Sequence, residues 1–260
     1  MCNFAEPFMQ YWGEADQFSW GKSGVADVWI LVDGWPESLE SDSTSTQSVM
    51  VAALKDAIAT HPSPTAPDTV QVATATAWAA TRPGATTAIA LPLTINLPDS
   101  LEFPAAAIYR ACRDVSQLRQ HVANHFQIAI GDGYYWLPIV LTAKGPLYAE
   151  AIAPQLASPA TVSSFIQPLH LSDRQRQPLY KLGIQLLTLL QAPPAVYLLQ
   201  FGLQDDRIWF DRLLPFPGEA AIASLGIQTP DLYTCHWQCV TGQPIFDLSI
   251  AGTAIHSTPA

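Results

Sequence analysis

Charged side chains are scarce in this sequence. Asp, Glu, Lys and Arg account for 13% of its 260 residues, against 49% apolar. A disordered chain needs the opposite balance, so that class is excluded and much of the chain must be packed. Basic residues are scarcer still: 12 Lys and Arg stand against 22 Asp and Glu, a formal charge of −10. That charge repels phosphate backbones and excludes nucleic acid as a general partner. The lysines are Lys22, Lys55, Lys144 and Lys181, none in a Walker arrangement, and no Gly-x-Ser-x-Gly or His-Glu-x-x-His is present. Four cysteines (Cys2, Cys112, Cys235, Cys239) are too few for a disulfide framework at this length. The most apolar window, 182–203, is broken by Pro193-Pro194, so no membrane span is expected. The start, MCNFAEPFMQYWGEADQ, has neither the basic nor the apolar part of a secretory signal, and a cytoplasmic location is expected.

The length allows a large core, in one domain or two small ones. ADVWILVDG (26–34) reads as a buried strand, and SVMVAALKDAIATH as a helix. The Pro-rich 61–68 is the expected boundary, dividing an acidic, Trp-rich α/β region (1–60) from a larger unit (69–260). Residues 69–97 read as irregular strands, and a long helix is expected after Pro104, with Asp99 and Ser100 as cap signals. QIAIGDGYYWLPIVLTAKGPLYAEAIAP reads as antiparallel strands turning at Gly131-Asp132-Gly133 and Lys144-Gly145. Ser172 and Asp173 cap an amphipathic helix, and LLQFGLQDDRIWFDRLLPFPG follows as a hairpin. Short helices at GEAAIASLG and DLYTCHWQCVTG and a last strand, IFDLSI, complete an α+β order without an internal repeat.

Three groups invite a chemical reading. His121 and His125 lie one helical turn apart, as a metal pair would, but no third ligand is near in sequence and no metal is expected. Cys235 and Cys239 are spaced i,i+4 rather than as a zinc knuckle, which suits buried thiols. Among the N-terminal tryptophans, Trp29 falls in a strand. Trp12 and Trp20 fall in an irregular acidic segment and are either interface anchors or ordinary packing.

From about 127 to 250 the chain resembles the C-terminal part of the ATP-grasp carboxylate–amine ligases, with the closest likeness to 5-(carboxyamino)imidazole ribonucleotide synthase. AIGDGYYWLPIV resembles that family's strand pair. LLTLLQAPPAVYLLQFGLQDDRIWFDRLLPFPG resembles its helix, Gly-Val-x-x-x-Glu strand and Asn-Glu-x-x-Pro-Arg strand end. TPDLYTCHWQCVTGQPI resembles the helix that follows. The resemblance implies an ATP-grasp-like C-terminal half, an antiparallel sheet with packed helices, after a small α/β region. Carried over without a gap, it places the first metal-binding Glu on Gln200, the Asn on Asp211 and the second metal-binding Glu on Arg212. Pro215 is kept, the following Arg becomes Phe216, and the His-rich loop becomes PGEAAIAS. The Gly-rich lid and the two phosphate-binding lysines have no counterpart in the N-terminal half.

Magnesium sites on ATP enzymes use one or two carboxylates plus phosphate oxygens. A guanidinium at a ligand position opposes the ion by about 4 kcal/mol at ~4 Å and an effective ε of ~20. Strand alternation would point Asp211 to the face opposite Arg212. The expectation is therefore a non-catalytic ATP-grasp-like protein without a cofactor or catalytic residue, acting through a protein partner as an assembly or regulatory factor. Trp12 and Trp20 are its candidate partner-binding residues. The alternatives are a small-anion or nucleotide binder using Gln200, Asp211 and Arg212, or a ligase with ligands displaced to Asp205, Asp206 or Asp211. A buried Arg212 needs an anion, and Glu150 and Glu219 are its expected internal partners.

Overall fold

A computed structural model describes residues 27–34, 45–63, 69–81, 88–158, 161–251 and 254–257. Trp12, Trp20 and Cys2 lie outside the described residues. The chain opens with β1 (Asp27–Val32), α1 (Thr46–Thr60), β2 (Thr69–Thr74), α2 (Ala75–Thr81) and β3 (Ile89–Pro92). These strands form a parallel sheet in the order β2-β1-β3. β1 is apolar on both faces, with Val28, Ile30 and Leu31 fully buried, as a central parallel strand requires. β1 and β2 flank the Pro-rich 61–68 and are hydrogen-bonded neighbours. The described parts of 69–97 include a helix. Thr74 Oγ1 accepts from Ala77 N at 3.1 Å, starting α2 where irregular strand was expected.

The helix expected after Pro104 is two helices, α3 (Ala106–Arg113) and α4 (Val115–Phe126). They part at Asp114, whose carboxylate caps α4 by accepting from Gln117 N at 2.9 Å. Asp99 caps neither helix; it pairs with Arg113.

The rest is the expected antiparallel sheet. It comprises β4 (Ala129–Ile130), β5 (Tyr135–Thr142), β6 (Gly145–Tyr148), β7 (Ala151–Ser158), β8 (Thr161–Leu169), β9 (Ala195–Gln204), β10 (Arg207–Leu214) and β13 (Ala254–Ser257). Their order is β13-β8-β7-β5-β9-β10-β4, with β6 on β5. β11 (Gln228–Thr229) and β12 (Ser249–Ile250) pair separately, so only the end of IFDLSI is strand. α5 (Asp173–Leu189) begins with a capping box of Ser172 and Gln175. It buries Leu179, Leu182, Leu186 and Leu187. Val196, Leu198 and Phe210 are fully buried in the shared core, and Ile208 packs against its margin.

A 3-10 turn (Glu219–Ser224) and α6 (Leu232–Val240) close the core. α6 is buried at every position. Its Trp237 Nε1 donates to the His61 carbonyl at 2.8 Å, tying the end of α1 to the larger unit. Among the described residues no helix is long and apolar enough to cross a membrane.

Candidate functional site

The hairpin β9–β10 turns through Asp205-Asp206, and Gln204 pairs with Arg207. Asp205 takes φ +55°, a left-handed conformation that Asp tolerates in tight turns. The register continues to Phe210 opposite Phe201, then shifts by one, so that Arg212 faces Gln200. Asp211 is the extra residue of a β-bulge. Trp136 of β5 pairs with Gln200 from the other side. Trp136, Gln200 and Arg212 therefore form one row across three strands.

The bulge overturns the expectation that Asp211 and Arg212 point apart. The Asp211 side chain is 2% exposed, and its Oδ1 accepts from Arg212 Nε at 3.0 Å. Oδ1 also accepts from Arg119 Nη2 at 2.6 Å, and Oδ2 from Gly133 N at 2.8 Å. Arg119 Nε reaches the Asp211 carbonyl at 3.0 Å, and its Nη2 bonds Asp132 at 2.8 Å. Two guanidinium groups and a backbone amide thus satisfy one buried carboxylate, the condition for burying it. Arg212 is not buried as expected, its side chain being 42% exposed, yet it has an internal acid. It is Asp211, not Glu150 or Glu219, because the bulge brings the neighbouring carboxylate within reach.

Gly133 carries the other half of the cluster. Its N–H goes to Asp211 and its carbonyl accepts from Gln200 Nε2 at 2.6 Å. A Cβ on this residue would stand 2.4 Å from the Phe201 carbonyl carbon, so only glycine fits. Gly131-Asp132-Gly133 is accordingly not the hairpin turn expected from its sequence. β4 pairs with β10 in parallel and β5 pairs with β9, so the loop runs between strands on opposite sides of the β9–β10 hairpin. Trp209 Nε1 fastens it by donating to the Asp132 carbonyl at 2.7 Å.

The electrostatics balance. Arg119 and Arg212 are matched by Asp132 and Asp211, a local sum of zero. Hydrogen bonding and attraction from Arg119 hold the Asp132 carboxyl below the usual carboxylate range, with a smaller contribution from Arg212. The Arg119 guanidinium is held higher by its bonds to Asp132 and Asp211. Phe216, where the resemblance expects Arg, is buried and stacks on Tyr109 with ring centres 5.9 Å apart. Tyr109 in turn donates to the Pro92 carbonyl at 2.9 Å, joining the hairpin exit to β3.

Gln200, Asp211 and Arg212 lie together, Asp211 through the bulge and not in the orientation expected of it. Arg119 was missed: it is 92 positions from Asp211 in sequence, and nothing local in α4 marks it. His121 and His125 stay on the α4 surface, where His125 Nδ1 lies 3.0 Å from the His121 carbonyl. Cys112, Cys235 and Cys239 are buried thiols without disulfides. Burial pushes Cys112 and Cys239 up to about 12, so neither offers a thiolate near neutral pH. Among the described residues no three His, Cys, Asp or Glu are grouped as metal ligands.

No family model matches the chain. No curated protein matches it in sequence. Solved structures match it in fold. N5-carboxyaminoimidazole synthase from Aspergillus clavatus, in complex with ADP and 5-aminoimidazole ribonucleotide, superposes with a TM-score of 0.64 at 10% identity, covering 89% of this chain and 81% of that one. N5-carboxyaminoimidazole synthetase from Staphylococcus aureus, complexed with ADP, gives 0.64 at 7% identity over 89% and 82%. Glycinamide-RNase-transformylase T from Mycobacterium tuberculosis gives 0.60 at 14% identity over 84% and 80%. The chain has the ATP-grasp fold, and the likeness is one of fold.

Proposed function

We propose that this protein is a non-catalytic ATP-grasp-fold protein that acts by binding a protein partner, as an assembly or regulatory factor. The observation that carries the non-catalytic part is the saturation of Asp211. The carboxylate between the two positions where the resemblance puts metal ligands already accepts from Arg119, Arg212 and Gly133. Displacing them to seat magnesium would leave the buried Gly133 amide without its acceptor and the part-buried Arg119 short of one. Gln200 is itself committed to the Gly133 carbonyl. Asp205 and Asp206 sit at the hairpin tip, away from Gln200, which disfavours a ligase with displaced ligands.

The partner-binding part rests on the apolar composition and on Trp12 and Trp20 in an acidic N-terminal segment. Affinity capture with the full chain from native extract should recover a stoichiometric protein partner, and Trp12→Ala with Trp20→Ala should weaken that capture at least tenfold. Undiminished capture by the double variant removes these residues from the interface. Failure to recover any protein counts against the whole reading.

A second reading has one observation in its favour. The Arg212 side chain is 42% exposed, and among the described residues its Nε alone has a partner. Its remaining donors suit a small anion or the phosphate of a nucleotide, and the fold neighbours named above include ADP complexes. Thermal stabilisation by phosphate that Arg212→Ala abolishes is the result that favours it.

A further inference from the structure

Among the described residues several sheet edges are blunted, and β7, which meets β5 only at Trp136 and Ile152, carries Pro154 in its outer part. β3 is four residues long, ends in Pro92, is buried throughout and is covered by Tyr109. β4 has two residues, β13 has four, and β6 has four including Pro146. These are the devices that keep sheet edges from recruiting other strands. β2 has none of them. It is six residues long, pairs with β1 in unbroken register, and is exposed or half-buried from end to end. Its other side has no strand neighbour among the described residues. Its sequence, Thr-Val-Gln-Val-Ala-Thr, contains no Pro, Gly or charge and is rich in β-branched residues.

We infer that β2 is the contact by which two copies of this chain associate, edge to edge, into one continuous six-stranded sheet ordered β3-β1-β2-β2-β1-β3 across a two-fold axis. The choice of a second copy rests on self-complementarity. In an antiparallel two-fold pair, side chains on one face must meet side chains on that same face. The axis must therefore pass through a residue, and the central candidates are Gln71 and Val72. Around Val72, Val70 faces Thr74, Gln71 faces Ala73 and Val72 faces its own copy. Around Gln71, Val70 faces Val72 and Thr69 faces Ala73. Every pair is neutral, and several are β-branched pairs of the kind that stabilise sheets. A chain with a formal charge of −10 repels its own copy over most of its surface, so a neutral strand is where close approach costs least. This surface is separate from the Arg212 cluster and does not depend on the function proposed above.

Sedimentation velocity on the full chain, over a series from about 1 to about 100 μM, tests the inference together with hydrogen exchange at the two extremes. The expected result is a monomer–dimer equilibrium in which amides of residues 69–74 gain protection as dimer forms. Gln71→Lys lies within one pair of the axis in either register and sets like charges close together. It should raise the dimer dissociation constant at least tenfold while leaving the far-ultraviolet circular dichroism unchanged. A chain monomeric across the whole series overturns the inference. So does a dimer whose constant Gln71→Lys leaves unaltered, or one without added protection at 69–74. If Gln71→Lys alters the circular dichroism, the wild-type exchange result alone decides.

Discussion

Replacing Asp211 by alanine is expected to lower the unfolding free energy by about 3–5 kcal/mol, the range for removing one partner from a buried ion pair. The carboxylate is 2% exposed and is the common acceptor for Arg119, Arg212 and Gly133. Without it, the Gly133 amide is buried with no acceptor. Arg119, 22% exposed, keeps only Asp132 and the Asp211 backbone carbonyl. Arg212→Ala should cost much less, within about 1 kcal/mol, because that side chain is 42% exposed and can be solvated. Arg119→Ala should fall between them, since Asp211 retains two donors. Urea denaturation of the three variants gives the ranking directly. A loss below about 1 kcal/mol for Asp211→Ala would mean that the cluster is surface decoration rather than part of the core.

Acidification should destabilise the protein well before its carboxylates protonate. His236 is buried in α6, and its Nδ1 accepts from Val196 N at 3.2 Å. Burial lowers its pKa from 6.5 to about 3. The unfolded chain therefore takes up a proton below about pH 6.5 that the folded chain refuses until about pH 3. Stability is at its full value above the unfolded pKa and is lost as pH falls through that window. The loss is about 2 kcal/mol at pH 5 and about 4–5 kcal/mol once pH reaches 3, at ~1.36 kcal/mol per pKa unit. Asp99 and Asp132, lowered chiefly by Arg113 and Arg119 respectively, act in the same direction but only below the unfolded carboxylate pKa of 3.8. Glu219, raised by burial, acts in the opposite direction as pH falls, so the His236 share between pH 7 and pH 5 is read as the difference between the wild type and a variant. His236→Asn keeps an acceptor for Val196 N–H without a titrating group, and should reduce the loss in that interval to below about 0.5 kcal/mol. An unchanged slope in the variant would assign the pH dependence elsewhere.

The parts of the fold that sequence exposed are those whose signals are local. The β9–β10 hairpin has alternating apolar residues on either side of Asp205-Asp206, and α5 has its Ser172 cap and an apolar stripe. Both fell where expected. The failures share a cause: each depended on a partner distant in the chain. Gly131-Asp132-Gly133 has the composition of a tight turn, but the strands beside it pair with β10 and β9 instead of each other. α2 hid in a Thr-rich run whose cap, Thr74, looks like one more strand residue. In the candidate site, Gln200, Asp211 and Arg212 were named by the family resemblance carried along the hairpin. Their relation was not, because no glycine marks the bulge at Asp211 and a bulge shifts every later side chain by one position. Arg119 lies on an unremarkable helix, and only tertiary packing brings it to Asp211.

Isothermal titration of the full chain with ATP in magnesium-containing buffer, repeated in EDTA, addresses the central proposal most directly. With Arg212 and Gln200 at the two expected ligand positions, and Asp211 occupied by internal donors, no magnesium-dependent binding heat should appear at ATP concentrations up to about 1 mM, the level of a 4 kcal/mol interaction. A magnesium-dependent dissociation constant below about 100 μM, more than 5 kcal/mol of binding, would contradict it and return the protein to the ATP-dependent ligases whose fold it has.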